Sequence, residues 1–138
     1  MFIAAMFSEN IEKMVAHAAN AYFEDEDIEM IHQVKDVSHW SARMRAPMEA
    51  TYGVDYFPQL WNEWVEAIIK IANATPDKDI CRERLAEIRC PSLIIHGSKD
   101  AMVSNQHPED LHKRITGSKY VLKKKIKFQF SKKYVRIV

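Results

Sequence analysis

The sequence predicts an α/β fold in which helices flank a small parallel sheet, and three observations lead to this prediction. Residues 92–96 form a short, almost wholly apolar run between Cys90-Pro91 and Gly97, which is typical of a strand buried on both faces. Two further runs of strand length lie at 14–19 and 119–122. Segments with helical spacing separate the three runs. We therefore expect about three parallel strands.

Length, net charge and cysteine count limit the kinds of partner and cofactor that we expect for this chain. The chain has 138 residues, which is typical of one domain, and 28% of them are charged. The net charge of +1 predicts neither a nucleic-acid nor a membrane partner for the whole chain. Cys81 and Cys90 suffice for neither a disulfide framework nor a zinc site, so we expect no metal, no cofactor and a reduced intracellular compartment.

The first residues predict the later part of a helix and then a strand. Ile3, Met6 and Phe7 have helical spacing within 2–12, but no N-cap precedes them, so we expect further chain before this helix. No basic residue precedes the apolar start, which excludes a secretory or transit signal in this segment. His17 lies inside the first strand, where a hydrogen-bonded core residue is more common than a catalytic one.

Residues 20–74 have a helical pattern throughout. The acidic run 24–27 can cap a helix through Ile31, and Asp36 or Ser38 can cap a second helix that ends near Pro47. The clearest helix follows Gly53, with Pro58 in its first turn. Its apolar stripe is expected to be core, or else the roof of a pocket, and consists of Trp61, Trp64, Val65, Ile68 and Ala72.

Two further helices are predicted around the central strand. Asp79 can cap a helix that carries Leu85 and Ile88, and Cys81 is expected to be a buried or half-buried thiol on it. After the strand, Pro108 opens a helix that Gly117 can terminate.

The chain changes character after Leu122. Residues 123–138 combine many lysines with interleaved aromatic side chains. Such a segment can bind single-stranded nucleic acid or an anionic surface. A solvated tail or an edge strand guarded by lysines is the more common structure, and we favour it.

Asp100 is the best single candidate for a functional side chain. It follows the central strand after the turn that begins at Gly97. The carboxyl ends of strands in open α/β sheets are where ligands bind and chemistry takes place. The alternative is that Asp100 only accepts hydrogen bonds from the backbone of its own turn.

Several segments together resemble a known family. They are EKMV (12–15), ANAY (19–22), DVSHWS (36–41), YGVDY (52–56), WV (64–65), ICR (80–82), CPSLIIHGSKD (90–100) and HKRITGS (112–118). Over about residues 2–122 the chain is similar to the carboxy-terminal part of the biphenyl hydrolase-like, or valacyclovir hydrolase, family of α/β-hydrolases. The resemblance implies a partial α/β-hydrolase domain at 1–122 with a helical cap insertion at about 22–74, followed by a divergent basic tail.

The resemblance also implies an activity and a site. The family hydrolyses carboxylic esters, including amino-acid esters, with a Ser-Asp-His triad in that chain order. Asp100 matches the triad acid, and the position of the cap suggests that Trp40, Tyr56 and Trp61 bind the acyl group. A cytoplasmic or mitochondrial location is implied, with a small-molecule ester as substrate only if the rest of the domain is supplied.

The other two triad residues are absent from these 138 residues. No Gly-x-Ser-x-Gly nucleophile elbow occurs, and no histidine follows His112. His107 and His112 lie on a helix between strands, so neither is assigned as the base. We expect the chain alone to be inactive as an esterase; the alternative is a non-catalytic interaction or regulatory fragment that uses the cap and the basic tail.

Three strands of a larger sheet would leave an unpaired edge. The strand at 14–18 is expected to lose a neighbour on one side, which exposes backbone hydrogen-bonding groups beside apolar side chains. Self-association through this edge is the expected consequence.

Overall fold

The structure, a computed structural model, describes residues 1–124; residues 125–138, most of the predicted basic tail, lie outside the described residues. The chain forms two compact units. The sheet unit combines Met1–Asn20 with the chain from Glu83 onward, and the helical unit is Ala21–Arg82. The predicted cap, 22–74, falls within the limits of the helical unit.

The sheet has three parallel strands, as predicted. They are β1 (Met14–His17), β2 (Ser92–Gly97) and β3 (Lys119–Lys123), in the order β1-β2-β3. Ala16 pairs with Ile94, and Ile94 pairs with Tyr120. The apolar run that contains Ile94 is therefore the central strand.

The two faces of the sheet are covered unequally. Ser92, Ile94 and His96 alternate along β2 on a buried face, whereas the residues between them are only half-buried. On β1, Val15 is 63% exposed and His17 is exposed as well. The expectation of a core histidine at position 17 is therefore wrong, because alternation along β1 places His17 on the open face with Val15.

The described residues contain the following α-helices: α1 (Phe2–Met6), α2 (Asp25–Gln33), α3 (Ala42–Tyr52), α4 (Tyr56–Ala72) and α5 (Gln106–Arg114). Short 3₁₀ segments lie at Ser8–Asn10, Val37–His39 and Arg82–Glu87. The single helix predicted over 2–12 is thus divided into α1 and a 3₁₀ turn. None of the described helices is both long and apolar enough to cross a membrane.

The helical unit has an apolar core of its own. Val65 and Ala72 on α4 are completely buried against Phe23 and Ile31, and partly buried side chains pack around them, namely Ile28, Trp61, Ile68 and Ile69. Most of the predicted stripe on α4 is therefore core. Trp64 is the exception, since 43% of it is exposed.

The cap of α2 is as predicted, but Asp36 caps only a short 3₁₀ turn and not the predicted α-helix, since α3 begins at Ala42 after Ser41. Glu24 and Asp27 form a reciprocal capping box at the start of α2, with Glu24 N donating to Asp27 Oδ2 at 2.8 Å. Asp36 Oδ1 accepts a hydrogen bond from Ser38 N at 2.8 Å and so caps the 3₁₀ turn that follows. Pro58 lies in the first turn of α4.

The predicted end of a helix near Pro47 is wrong. The helix α3 continues through Pro47 to Tyr52. Proline removes a backbone donor, but side-chain interactions bridge the position. Arg45 pairs with Glu49 at 3.1 Å, and Thr51 Oγ1 donates to the carbonyl of Pro47 at 2.9 Å. These contacts hold the turns on both sides of the proline together.

The segment before β2 is a 3₁₀ helix and not the predicted α-helix. Asp79 does cap it, because its Oδ1 accepts from Arg82 N at 2.5 Å. Leu85 and Ile88 are each 1% exposed, so the predicted apolar positions are buried. The segment Arg82–Glu87 is short and connects two units of the chain, and 3₁₀ helices commonly serve as short connectors of this kind.

Candidate functional site

Asp100 lies immediately beyond the carboxyl end of the central strand. A turn brings its backbone N–H to the carbonyl of Gly97 at 2.9 Å. Its side-chain Oδ1 accepts hydrogen bonds from Met102 N at 2.9 Å and Val103 N at 3.0 Å. The side chain is half-buried. The carboxylate is therefore fixed by the backbone of the loop that follows it.

The two carboxylate oxygens of Asp100 are in different situations. Oδ1 receives both backbone hydrogen bonds, whereas no hydrogen bond to Oδ2 is present within residues 1–124. The hydrogen bonds from its own turn, which are the alternative role predicted for Asp100, are therefore present and involve one of its two oxygens. An ionised carboxylate can accept further hydrogen bonds on its second oxygen. A fixed acceptor at this edge of a parallel sheet can orient an imidazole.

A serine and a histidine do meet in the sheet unit, but not as partners of Asp100. His112 Nδ1 lies 2.9 Å from Ser118 Oγ, and Ser118 Oγ also donates to the His112 carbonyl at 3.3 Å. Ser118 directly precedes β3, so it lies at the amino edge of the parallel sheet. Asp100 lies at the opposite, carboxyl edge. The His112–Ser118 pair links the last turn of α5 to the start of β3 and does not form a triad with Asp100.

Cys81 is no better as a nucleophile. It is 5% exposed, as expected for a buried thiol, and this burial raises its pKa. A raised pKa lowers the fraction of thiolate, which is the reactive form. Cys81 and Cys90 are both free thiols.

Two of the three aromatic candidates meet in the helical unit. The ring centroids of Trp40 and Trp61 are 4.8 Å apart in an edge-to-face arrangement. Both indole N–H groups donate to the carbonyl of Val34, at 3.0 Å and 2.9 Å. Phe57 completes the cluster, 5.7 Å from Trp40 between centroids and 1% exposed. The third candidate, Tyr56, is 52% exposed at the start of α4.

Sequence reasoning placed Trp64 in the apolar stripe of α4 but not among the aromatic candidates, and it missed the Val34 carbonyl. Trp64 stacks on Trp61 at 4.8 Å with an interplanar angle of 25°, and its i+3 spacing was the available signal. The Val34 carbonyl is a backbone group for which the sequence offers no signal, whereas the amides of Met102 and Val103 are the turn donors that the alternative role of Asp100 predicted. A nearby groove of about 400 Å³ does not include the three aromatic candidates and is lined by His32, Lys35, Asp36, Val37, Pro58 and Asn62.

Charges in the helical unit are paired at its surface. Lys35 Nζ forms an ion pair with Glu66, and this hydrogen bond lowers the pKa of Glu66. The hydrogen bond from Ser38 likewise lowers the pKa of Asp36. Lys35 and Asp36, which both line the groove, are therefore engaged with Glu66 and with the Ser38 N–H, respectively.

Comparison with known proteins agrees with the resemblance. No family model matches the chain. It is 43% identical to the human serine hydrolase BPHL over 119 residues, or 86% of this chain and 40% of that protein. It is 36% identical to the serine hydrolase BPHL of Mus musculus over 142 residues, or 100% of this chain and 48% of that protein. The chain therefore spans less than half the length of these relatives.

Solved structures show the same fold. MGS-M2, an α/β hydrolase from a deep-sea metagenome library, matches 87% of this chain and 50% of its own with a TM-score of 0.58 and 15% identity. NosK from Streptomyces actuosus matches 87% of this chain and 51% of its own with a TM-score of 0.59 and 14% identity. At such identities the likeness shows the fold alone, and the fold is a partial α/β-hydrolase fold.

Proposed function

We propose that this chain, which has a partial α/β-hydrolase fold and resembles the serine hydrolase BPHL, is the cap-and-acid part of a carboxylic-ester hydrolase. The proposed substrates are esters, amino-acid esters among them. The observation that carries the proposal is the geometry of Asp100 at the carboxyl edge of the sheet, where Met102 and Val103 fix one oxygen and no hydrogen bond to the other is present among residues 1–124.

Asp100 would act through a histidine supplied by another segment. Its Oδ2 would accept a hydrogen bond from imidazole Nδ1–H, which holds the ring in the tautomer that can take a proton from serine. The same charge stabilises the imidazolium formed during acyl transfer. Because the two backbone donors hold Oδ1, the carboxylate is oriented before the histidine arrives.

The 138 residues alone would not hydrolyse an ester. They contain no nucleophile elbow and no histidine after His112, so Asp100 has no imidazole to orient. We further propose residues 1–122 as the partial domain, with a cap at about 22–74 whose Trp40, Tyr56 and Trp61 bind the acyl group. An intracellular compartment, cytoplasmic or mitochondrial, is part of the same proposal.

A chimera tests the role of Asp100. Residues 1–122 would replace the matching region of human BPHL, whose own amino-terminal part and final segment are kept. We expect this chimera to hydrolyse amino-acid esters and Asp100→Asn to lower kcat by about 10⁴-fold, as loss of a triad acid does elsewhere. The measurement is steady-state kinetics on a chromogenic amino-acid ester.

Asp77→Asn is the matched control, because Asp77 is an exposed carboxylate of the helical unit. It should leave kcat within about twofold. An active chimera in which Asp100→Asn and Asp77→Asn behave alike would refute the assignment of Asp100.

A second candidate function is a non-catalytic regulator that contacts a full-length hydrolase of the same family. Exposed apolar side chains on α4 favour it, since Trp64 is 43% and Ile71 47% exposed. Pull-down of full-length BPHL by the chain, with and without residues 123–138, discriminates the two functions. Capture that depends on the tail would favour the regulator.

A further inference from the structure

The helical unit contains a groove of the size that small molecules occupy. It has a volume of about 400 Å³ and lies beside the last turn of α2, the 3₁₀ turn Val37–His39 and the first turns of α4. Pockets for small ligands commonly have volumes of about 300–1,000 Å³ and combine apolar surface with a few polar groups. We call it the α2–α4 groove, and its lining consists of His32, Lys35, Asp36, Val37, Pro58 and Asn62.

The segment that carries Lys35 and Asp36 is fixed by hydrogen bonds. Val34 N donates to the carbonyl of Met30 at 3.1 Å, and the Val34 carbonyl accepts the indole N–H groups of two tryptophans. Lys35 N donates to the carbonyl of His32 at 3.3 Å. This wall of the α2–α4 groove is therefore formed by the fold itself and does not need a ligand to shape it.

The positive charge in the groove already has a partner. Pro58, Asn62 and Glu66 follow one another at intervals of four residues, so they share one face of α4. Glu66 forms an ion pair with Lys35, and the hydrogen bond from Lys35 lowers the pKa of Glu66. The nearby His32 ring lowers this pKa further. Lys35 therefore offers little attraction to an anionic ligand.

The negative charge of Asp36 is not balanced in the same way. Hydrogen bonding by Ser38 lowers the pKa of Asp36, so this carboxyl group is ionised at neutral pH. Asp36 forms no ion pair with a lysine or arginine among residues 1–124. His39 Nδ1 lies 3.7 Å from Oδ2, beyond hydrogen-bond distance, and is charged only when protonated. The α2–α4 groove therefore favours a cationic ligand.

Two uncharged side chains add hydrogen-bond acceptors to the groove. The amide oxygen of Asn62 and one ring nitrogen of a neutral His32 can each accept a hydrogen bond. Within residues 1–124, neither side chain makes a hydrogen bond. Val37, which is 7% exposed, and Pro58 form the apolar part of the lining. A ligand that matches this lining combines N–H donors on a positive charge with a short apolar chain.

We propose that the α2–α4 groove binds a small primary alkylammonium ion. The ammonium group donates to the carboxylate of Asp36 and to the acceptors of Asn62 and His32. Three N–H donors on one charged nitrogen match these three side chains. The alkyl chain packs on Val37 and Pro58. No residue of the groove takes part in the proposed ester hydrolysis, so this proposal does not depend on the proposed function.

Titration of the 138-residue chain with n-butylammonium chloride tests this site, followed by ¹H–¹⁵N NMR at constant ionic strength. We expect saturable shifts at the Asn62 side-chain amide and at the Ser38 N–H, which donates to Asp36. Asp36→Asn should weaken binding about threefold, because it removes an exposed charge while asparagine can still cap the 3₁₀ turn. The matched control is Asp77→Asn, at an exposed carboxylate outside the groove, which should leave the affinity unchanged.

Two further ions separate the contributions of charge and hydrogen bonding. Tetramethylammonium has the same charge but no N–H donor, so it should bind more weakly than n-butylammonium. Butyrate has a similar chain and the opposite charge, so it should produce no saturable shift. Equal affinities for the two cations, saturable binding of butyrate, or equal effects of Asp36→Asn and Asp77→Asn would overturn the proposal. If Asp36→Asn does not fold, the comparison of the three ions on the unmodified chain decides.

Discussion

The helical unit and the sheet unit differ in how completely each covers its own apolar residues. The helical unit encloses Val65 and Ala72 completely with side chains from within Ala21–Arg82. The sheet unit buries one face of β2 but leaves Val15 63% exposed. A core made by helices close in sequence stays intact in part of a domain, whereas a parallel sheet needs strands from distant parts of the chain. The helical core is therefore local in sequence, whereas the sheet combines segments that are far apart in the chain.

The largest expected effect is in the helical unit. Phe57 is 1% exposed and contacts Trp40, so Phe57→Ala should lower the free energy of unfolding by about 3–5 kcal/mol through lost burial and a cavity. Urea unfolding followed by tryptophan fluorescence measures this unit alone, because all three tryptophans lie in it. Tyr56→Ala, at a 52% exposed neighbour, is the control and should cost far less.

Truncation of a buried side chain in the sheet unit tests the same comparison between the two units. Ile94 is 1% exposed at the centre of the sheet, and Ile94→Ala should cost about 2–5 kcal/mol. Hydrogen exchange at the β2 amides measures it, with Ile95→Ala at a half-buried position as the control. Equal costs at positions 94 and 95 would show that both faces of the sheet are covered.

A smaller effect is expected at the shared carbonyl of Val34. Trp61→Phe removes one of its two indole donors, while Trp40 continues to donate at 3.0 Å. The cost should be about 1 kcal/mol from the hydrogen bond, because the acceptor is not left unsatisfied. Comparing the thermal unfolding of Trp61→Phe with that of Trp64→Phe, a residue that is 43% exposed, isolates the contribution of the hydrogen bond. A loss of several kcal/mol would mean that packing and not the hydrogen bond dominates.

The smallest effect is a dependence on pH. Because Lys35 lowers the pKa of Glu66 in the folded chain, this pair stabilises the protein above the ordinary glutamate pKa of about 4.3. The contribution is lost as the pH falls through the lower, folded value. Glu66→Gln should reduce the acid dependence of the melting temperature slightly and change nothing near neutrality beyond a small constant loss. An unchanged acid profile would contradict the pairing.

Much of the sheet was predictable from local patterns, while the site was predictable only in part. The runs around Val15, Ile94 and Val121 gave three strands, because buried apolar runs are a local signal. The end predicted at Pro47 was wrong, since the contacts that carry α3 past it depend on side-chain geometry. Asp100 was selected as a candidate from its position after a strand. The hydrogen bonds from its own turn were predicted as its alternative role, whereas the Val34 carbonyl has no side-chain signature and the sequence could not indicate it.

We propose above all that these 138 residues carry the acid of a serine hydrolase without its nucleophile. Intact-mass spectrometry of the purified chain after reaction with a fluorophosphonate tests it most directly, with full-length BPHL as the positive control. We predict that the mass of the chain stays unchanged while BPHL is labelled. Stoichiometric labelling of a serine in the chain would contradict the claim.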